Sequence, residues 1–551
     1  MNFQTVPVWL SRSWASFSFV GLVLAALFFA GSLSPSLIPR NYLTQGLLSG
    51  VASIAGYGIG VLLVWTWRYL QLPELHGTIL RVARLVLTLA AALTVGFFLW
   101  RMTVWQNSIR AVMDMEPVTN AHPWAVGAIA VVLAIALVVS IRFPIWVGVR
   151  VAALLGRHVP ERLSIVLSTL IVGIVLVSLI DGVLIRMAVR LADEFFEELD
   201  ELVDEGIKQP KNPLASGSGE SLIDWSTIGR RGKNFIVTGP SQAELSEFAG
   251  QENPRPLRIY VGKRSAETPE QRAKLALDEL KRVDAFKRSV LVVATPTGTG
   301  WLDPAAVDTL EYLHAGDTAI VSTQYSYLPS WITLLVDPDR SRTAARALFN
   351  AIYAYWVTLP SDDRPRLYLH GLSLGALGSE ASIPLFLAFR DPIHGAVWSG
   401  PPFPSSVWSA VTRARDLQSP AWLPRLEDGS TVRFTAQKNA LEIPGAEWGQ
   451  VRIVYIQHAS DPMTFFSTDL LFKNPSWLSG QRGPDVSTYF EWYPVISFLQ
   501  VGFDLILATS VPLGYGHNYA PSSYIDAWVE VTQPNDWTAE DTVRLKHHFR
   551  K

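Results

Sequence analysis

Long apolar stretches separated by short polar segments fill the first third of the chain. Almost no charged residue falls inside them, and each is close to the ~20 residues that a helix needs to cross a bilayer. The pattern therefore predicts an N-terminal membrane domain, residues 1–190, with about five transmembrane helices. The five stretches lie at residues 15–33, 46–67, 85–100, 123–141 and 163–185.

Residues 141–160 have a different pattern, because Arg142, Arg150 and Arg157 interrupt their apolar residues. This pattern predicts a separate helix that lies along the membrane interface. The loop arginines, Arg12 among them, are more numerous on the side of the N-terminus, which predicts a cytoplasmic N-terminus. An odd number of spans then places the C-terminal half outside the cytoplasm.

Acidic residues become dense directly after the last apolar stretch, while Phe195, Leu199 and Leu202 keep a helical apolar spacing. A segment rich in Pro, Gly and Ser follows. Residues 191–220 are therefore predicted to be an acidic stalk helix and a linker. The carboxylates could bind divalent cations, but a solvated stalk is the interpretation that we favour.

Residues 221–551 alternate short apolar runs with helical patterns, which is typical of a parallel sheet covered by helices on both faces. Two insertions rich in aromatic residues, near 401–450 and 463–512, are predicted to cap the active site. The apolar part of the second insertion is predicted to be a core or lid helix rather than a sixth span. The strands are predicted at residues 257–261, 289–295, 318–323, 367–369, 395–398 and 451–457.

Composition limits the chemistry further. A chain of 551 residues is too long for one core, and 49% hydrophobic with only 17% charged residues fits a membrane protein. The chain has no cysteine, which excludes disulfides, thiolate metal sites and cysteine nucleophiles. The net charge of −2 gives no reason to expect a nucleic-acid partner.

The segment Gly371-Leu372-Ser373-Leu374-Gly375 follows a predicted strand and precedes a predicted helix. A sharp strand-to-helix turn exposes its central hydroxyl, and glycines let the neighbouring backbone come close. This context predicts that Ser373 is a nucleophile. The Leu374 N–H, at the start of the helix, is the first predicted oxyanion donor.

The acid and the base are expected later in the chain, in that order. Asp461 comes just after a predicted strand and is the chosen acid, with Asp485 and Asp504 as alternatives. His517 lies in a glycine-rich loop and is the chosen base. His458 is predicted to support the site from beside the acid.

A second oxyanion donor is expected from the loop after residues 289–295. Pro296 has no N–H, so Thr297 is the preferred donor and Gly298 the next. The same loop could cradle a phosphate, but it lacks the Gly-Lys-Ser/Thr sequence of a P-loop. No metal or cofactor is expected.

The chain resembles the bacterial family of membrane α/β-hydrolases, in which a multi-span domain precedes an α/β-hydrolase catalytic domain. The resemblance covers nearly the whole chain and implies a Ser373–Asp461–His517 triad. The residue before the serine is Leu372, where α/β-hydrolases often have His or Glu. The resemblance is carried by Thr295–Trp301, Gln324–Ser326, Gly371–Gly375, Gln457–Pro462 and Gly516–Tyr519.

The expected function is that of a membrane-anchored serine hydrolase. It would cleave esters of lipids or lipid-linked cell-envelope molecules at a bacterial plasma membrane, with the lipid bilayer as its partner. An acyltransferase that uses the same triad is one alternative, and a non-catalytic receptor or scaffold is another. Labelling by a fluorophosphonate would separate the catalytic from the non-catalytic interpretation.

Overall fold

The computed structural model describes residues 17–179, 186–383 and 391–550. The chain divides into two compact units. The first contains Met1–Ala188 with two later segments, Ser467–Leu478 and Pro484–Leu507, and the rest of the chain forms the second. The boundary after Ala188 is close to the predicted one at residue 190. Arg12, used above for the orientation, lies outside the described residues.

The first unit is helical, and each of the five predicted apolar stretches contains a helix. Three helices in the described part of the chain are long and apolar enough to cross a membrane. They are α2, α3 and α4, whereas α1 and α5 are shorter, and residues 180–185 of the fifth stretch are not described. The helices are α1 (Phe19–Ser32), α2 (Tyr42–Tyr69), α3 (Gly77–Ala111), α4 (Pro123–Leu155) and α5 (Glu161–Val177).

The separate interfacial helix expected at residues 141–160 is not formed. Helix α4 continues through this region to Leu155, with Pro144 inside it. The apolar residues between Arg142 and Arg150 carry the helix onwards, because two arginines eight positions apart do not interrupt the backbone hydrogen bonds. The prediction was therefore wrong about a helix break at residue 141.

The second predicted cap insertion belongs mostly to the first unit, since 467–478 and 484–507 pack there. Its apolar part forms a helix, Ile496–Leu507, and we name this the insertion helix. Asp504 on this helix is fully buried and lies 2.8 Å from Nη2 of Arg40. The apolar pattern predicted the helix, but the long-range ion pair with Arg40 decided its location.

The second unit contains a seven-stranded sheet in which every neighbouring pair is parallel, in the order β1-β3-β2-β4-β5-β7-β6. All residues of β1, β2, β3 and β5 are buried, which requires cover on both faces. The predicted fold class is thus confirmed. The strands are β1 (Leu257–Val261), β2 (Val290–Thr295), β3 (Thr318–Thr323), β4 (Arg366–Leu372), β5 (Gly395–Ser399), β6 (Val432–Thr435) and β7 (Arg452–Ile456).

Strand β6 was not predicted and lies inside the first expected cap insertion. It has only four residues, and one of them is Arg433. The Arg433 guanidinium is buried because it donates to backbone carbonyls of Gly429, Leu441 and Ala446. A charged residue in so short a run hides the strand from an analysis of hydrophobic pattern.

The remaining helices lie mostly in the second unit, where they connect and cover the strands, whereas the insertion helix lies in the first unit. Their bounds are α6 (Arg186–Glu201), α7 (Arg230–Val237), α8 (Gln242–Ala249), α9 (Pro269–Arg282), α10 (Pro304–Leu313), α11 (Ser330–Val336), α12 (Asp339–Trp356), α13 (Leu374–Glu380), α14 (Ser406–Arg413), α15 (Pro462–Phe465), α16 (Ser476–Ser479), the insertion helix α17 (Ile496–Leu507), α18 (Pro521–Thr532) and α19 (Ala539–His548).

The acidic stalk helix α6 is more than a solvated stalk, which corrects the interpretation favoured from the sequence. Asp193 lies 3.5 Å from Arg340, and Glu201 lies 3.2 Å from Arg264. Asp200 is buried and accepts a hydrogen bond of 3.1 Å from the Gln324 amide. The acidic residues therefore fix this helix to the second unit, a pairing that needs partners far away in sequence.

Candidate active site

The nucleophile elbow has the strained backbone that its sequence predicts. Ser373 stands between β4 and α13 with φ 58° and ψ −124°, a conformation that L-residues rarely adopt. A Cβ at Gly371 would overlap the backbone of Gly375, and one at Gly375 would overlap the Thr295 carbonyl. Only glycine permits these approaches, so both glycines are required by the turn.

The backbone of Ser373 is fixed by a hydrogen bond, whereas its side-chain hydroxyl makes none with the described residues. Its N–H donates to the Ser399 carbonyl at 3.0 Å, which fixes the elbow against the end of β5. The residue is 1% exposed, yet its Oγ has no hydrogen-bond partner among the described residues. A buried hydroxyl without a partner carries a free-energy cost that a substrate group could remove.

Asp461 and His517 are joined by a short hydrogen bond. His517 Nδ1 donates to Asp461 Oδ2 at 2.7 Å, because a carboxylate oxygen is an acceptor. Asp461 follows β7 and is fully buried, and its Oδ1 accepts the Met463 N–H at 2.8 Å. The other ring nitrogen, His517 Nε2, has no partner in the described part of the chain. This nitrogen is therefore available as a base.

The backbone at the end of β5 links the base to the nucleophile. The His517 ring packs on Gly400, where φ is +51° and a Cβ would overlap the imidazole. The preceding residue is Ser399, whose carbonyl holds the Ser373 N–H. Ser373 and His517 thus both contact the Ser399–Gly400 segment beyond β5, and His517 is bound to Asp461, which follows β7.

The alternative acids belong to the first unit. Asp504 is paired with Arg40 in the first unit, and Asp485 belongs to the same unit. His458 is buried beside the acid, where its Nδ1 donates to the Gly516 carbonyl at 2.9 Å. The Gly516 N–H in turn donates to Ser460 Oγ at 2.9 Å. His458 therefore holds the backbone that carries His517, in agreement with a supporting position.

A tyrosine in the site was not singled out from the sequence. Tyr519 Oη donates to Asp461 Oδ2 at 2.7 Å, the oxygen that also accepts from His517. Burial and the neighbouring Asp461 carboxylate raise the pKa of the Tyr519 phenol well above its ordinary value, which keeps the phenol a donor. The only signal in the sequence is its place two residues after His517 on the same loop.

The three predicted oxyanion donors differ in whether their N–H groups are already hydrogen-bonded. Leu374 is the first residue of α13, where an N–H has no acceptor within the helix. The Thr297 N–H donates to the Trp301 carbonyl at 2.9 Å, and the Gly298 N–H donates to Ser330 Oγ at 3.0 Å. The loop after β2 closes as a tight turn, so both of its predicted donors are already engaged.

Two further titratable groups are buried close to the site. His370 lies in β4, where burial lowers its pKa to about 4 and its Nδ1 contacts the Val397 carbonyl at 2.8 Å. Burial raises the pKa of Asp303 to about 7, although this carboxylate accepts the Ala305 N–H at the start of α10. Tyr524 bridges Asp303 and Ser399, with 2.7 Å between Tyr524 Oη and Ser399 Oγ. These groups support the backbone that holds Ser373.

The three central side chains have complementary chemistry. Ser373 supplies an unpartnered hydroxyl, His517 an imidazole with an open nitrogen, and Asp461 a buried carboxylate that orients the imidazole. Together such groups can perform nucleophilic substitution at a carbonyl. Within the described ranges, no group of three His, Asp or Glu residues is arranged to hold a metal ion.

Comparison with known proteins agrees with the fold. Residues 33–240 match the model of the alpha/beta-hydrolase family N-terminus, and residues 257–545 match the model of the alpha/beta-hydrolase family. No curated protein and no solved structure matches the chain. The second match covers the sheet, the elbow and the loops of Asp461 and His517, and it spans more than half of the sequence. The chain belongs to the alpha/beta-hydrolase family.

Proposed function

We propose that this protein is a membrane-anchored serine hydrolase that cleaves carboxylic esters through an acyl-enzyme. The observation that carries the proposal is the strained Ser373, whose buried Oγ has no partner among the described residues, together with His517, whose Nδ1 is bound to Asp461. A fold that leaves both reacting atoms unpaired while it satisfies the carboxylate has the organisation of a catalytic triad.

In the first half-reaction Ser373 Oγ attacks the ester carbonyl and its proton passes to His517 Nε2. Asp461 stabilises the imidazolium, and the Leu374 N–H donates to the oxyanion. His517 then protonates the alkoxy oxygen as its bond to the carbonyl carbon breaks. Water next attacks the acyl-enzyme, with His517 again as base, and releases the carboxylic acid and free Ser373.

We expect the second oxyanion donor to become available when substrate binds. The Gly298 N–H is now bound to Ser330 Oγ, the first residue of α11. A small shift of α11 would release this amide towards the oxyanion. An oxyanion donor contributes roughly 3 kcal/mol of transition-state stabilisation. Exchanging the hydrogen bond to Ser330 for one to the oxyanion would therefore favour the reaction.

We propose a lipid or a lipid-linked cell-envelope molecule as the substrate. Two features support this class. The first unit has three helices of spanning length. Helix α11, which contacts the oxyanion loop, leaves Trp331, Leu335 and Val336 at least 38% exposed. An exposed apolar helix beside a catalytic loop suits a substrate with a long acyl chain.

We further propose that the second unit lies outside the cytoplasm of a bacterial cell, at the plasma membrane. The proposal depends on the loop arginines and on five spans, of which three have helices of spanning length. A reporter that works only in the cytoplasm, fused after Lys551, is expected to be inactive. An active fusion would place the second unit in the cytoplasm.

The decisive test of the activity is covalent labelling of the full-length protein by a fluorophosphonate. Ser373→Ala is expected to abolish labelling while the protein stays folded and in the membrane fraction. The matched control is Ser322→Ala, a buried serine of β3 whose Oγ also lacks a partner among the described residues. This control is expected to label like the wild type. Full labelling of Ser373→Ala would refute the assignment of the nucleophile.

The substrate class is tested in cells. Lipid extracts from cells with wild-type protein and with Ser373→Ala are compared, and we expect an ester lipid to accumulate in the variant. Purified protein should then convert that lipid into a free carboxylic acid. Transfer of the acyl group to an added alcohol, in place of release to water, would identify an acyltransferase instead.

A further inference from the structure

One oxygen of Asp461 accepts hydrogen bonds from two other groups in addition to His517. Its Oδ2 accepts from His517 Nδ1 and from Tyr519 Oη, both at 2.7 Å, and from Thr464 Oγ1 at 3.3 Å. The carboxylate is fully buried, so this charge depends on protein donors rather than on water. The phenol and the imidazole therefore compete for the negative charge of a single oxygen atom.

Packing holds the Tyr519 ring in this position. One face stacks on His458, with ring centroids 4.4 Å apart and planes 19° from parallel. The ring also meets His517 edge-on, at 5.8 Å and 81°. Gly400 lies against both rings, since a Cβ there would approach Tyr519 as well as His517. The loop that carries the base thus also carries a donor to the acid.

The titratable groups around this pair are few and can be named. Asp461 and His517 face the phenol directly, and His458 lies on its ring face. Tyr524 acts on the phenol electrostatically from α18, and Tyr524 is itself bound to Asp303. The hydrogen bond to Asp461 is the contact through which Tyr519 can change the chemistry of the base.

We infer that Tyr519 is a positioning residue that sets the pH range in which the triad works, by withdrawing negative charge from the Asp461 oxygen that faces His517. This inference rests on the proposed function. With the phenol in place the Asp461 oxygen attracts the imidazolium less strongly, so the labelling rate is expected to fall away at a lower pH than without the phenol.

Two substitutions test the inference in opposite directions. Tyr519→Phe removes the donor, and we expect the acidic limb of the activity profile to move to higher pH by about one pH unit. Replacement of Tyr519 by 3-fluorotyrosine keeps the packing and makes the phenol a stronger donor. In that protein the limb is expected to move to lower pH.

The experiment measures the rate of fluorophosphonate labelling of the full-length protein in detergent micelles, between about pH 4 and pH 9. The matched control is Tyr455→Phe, which removes another buried phenol that donates to a carboxylate, Glu380 Oε2, at 3.0 Å. Among the described residues, no hydrogen bond joins Tyr455 to Asp461 or His517. The acidic limb of the pH profile of Tyr455→Phe should therefore match that of the wild type.

The outcomes separate this inference from the proposed function. Opposite shifts in the two Tyr519 proteins, with no shift in the control, would support the inference. A uniform loss of rate with an unchanged limb would show that Tyr519 only packs, and would overturn it while the proposed function stands. Wild-type protein that takes no label would refute both. If Tyr519→Phe does not fold, an unshifted limb in the 3-fluorotyrosine protein overturns the inference.

Discussion

Each of the two units buries a carboxylate completely, and the two are used differently. Asp504 in the first unit faces Arg40, a permanent cation, and its Oδ2 also accepts from Ser36 Oγ at 2.6 Å. Asp461 in the second unit faces the imidazole of His517, whose far nitrogen has no partner among the described residues.

Under the proposed function, the difference separates a structural carboxylate from one that takes part in the reaction. Further donors to Asp504 are the Leu37 and Ile38 amides, at 3.1 and 3.3 Å, so the carboxylate is engaged on both oxygens by groups of the fold. The hydrogen bond of Asp461 leads through His517 Nδ1 to His517 Nε2, which has no partner among the described residues. A buried carboxylate that is fully paired with groups of the fold stabilises one conformation. A buried carboxylate that orients an imidazole with an unpartnered nitrogen can take part in proton transfer.

The largest expected effect comes from altering the reactive carboxylate. Asp461→Asn should present the wrong tautomer of His517 and reduce turnover of a short-chain aryl ester by roughly 10⁴-fold. His517→Ala should be comparably damaging. The double variant should be hardly worse than either single one, because triad members act as a unit. Effects that multiply in the double variant would show that the two residues act independently.

Altering the structural carboxylate should reduce stability instead. Arg40→Met leaves Asp504 buried without its cation, and we expect a loss of about 3–5 kcal/mol in the free energy of unfolding. The double variant Arg40→Met with Asp504→Leu should recover part of that loss, since no unpaired charge remains. Denaturation of the full-length protein in detergent measures both.

The control for the buried Arg40–Asp504 ion pair is an exposed ion pair in the same unit. Arg68 and Glu74 lie 3.4 Å apart, with side chains 69% and 53% exposed. Arg68→Met should cost less than about 1 kcal/mol. Equal costs at Arg40 and Arg68 would contradict the claim that burial distinguishes the two pairs.

A smaller effect is expected from the residue that supports the base. His458→Ala removes the bond to the Gly516 carbonyl and the stacking on Tyr519, and should lower turnover by about tenfold. That is far less than the effect of His517→Ala in the same assay. Near-normal turnover in His517→Ala, together with loss in His458→Ala, would transfer the role of base to His458.

The last effect concerns Asp303, another buried carboxylate of the second unit. Its pKa is raised from 3.8 to about 7 by burial, so the folded state binds this proton more tightly than the unfolded chain. The resulting stabilisation is complete below about pH 4 and is lost as the pH rises through about 7. Asp303→Asn should therefore gain thermal stability relative to the wild type as the pH rises from about 4 to about 7. A constant difference in unfolding temperature across this range would contradict the assignment.

Local patterns were enough to predict much of the fold. The apolar runs that became β1, β2, β3, β4, β5 and β7 were recognisable because strands buried on both faces are continuous in hydrophobicity. The Gly-x-Ser-x-Gly turn could be recognised because backbone strain at one residue restricts its nearest neighbours to glycine. The order Ser373, Asp461 and His517 was predicted from the chain order that α/β-hydrolase triads have.

Contacts between residues far apart in sequence had no such local signal. The engagement of the Thr297 and Gly298 amides depends on how one loop closes and where Ser330 falls. The acidic helix α6 carries the same sequence whether it is solvated or paired with arginines. Asp504 was an alternative catalytic acid on sequence order alone, and only its contact with Arg40 shows it to be structural.

The sequence by itself therefore determined the elements, their class and the elbow, because backbone sterics and hydrophobic periodicity act over a few residues. The tertiary structure alone decided which buried polar atoms are paired and which stay open. Pairing depends on groups that folding brings within hydrogen-bond distance, such as Tyr519 and Asp461 or Arg40 and Asp504. Burial makes each such choice energetically large, since an unpaired polar group away from water is costly.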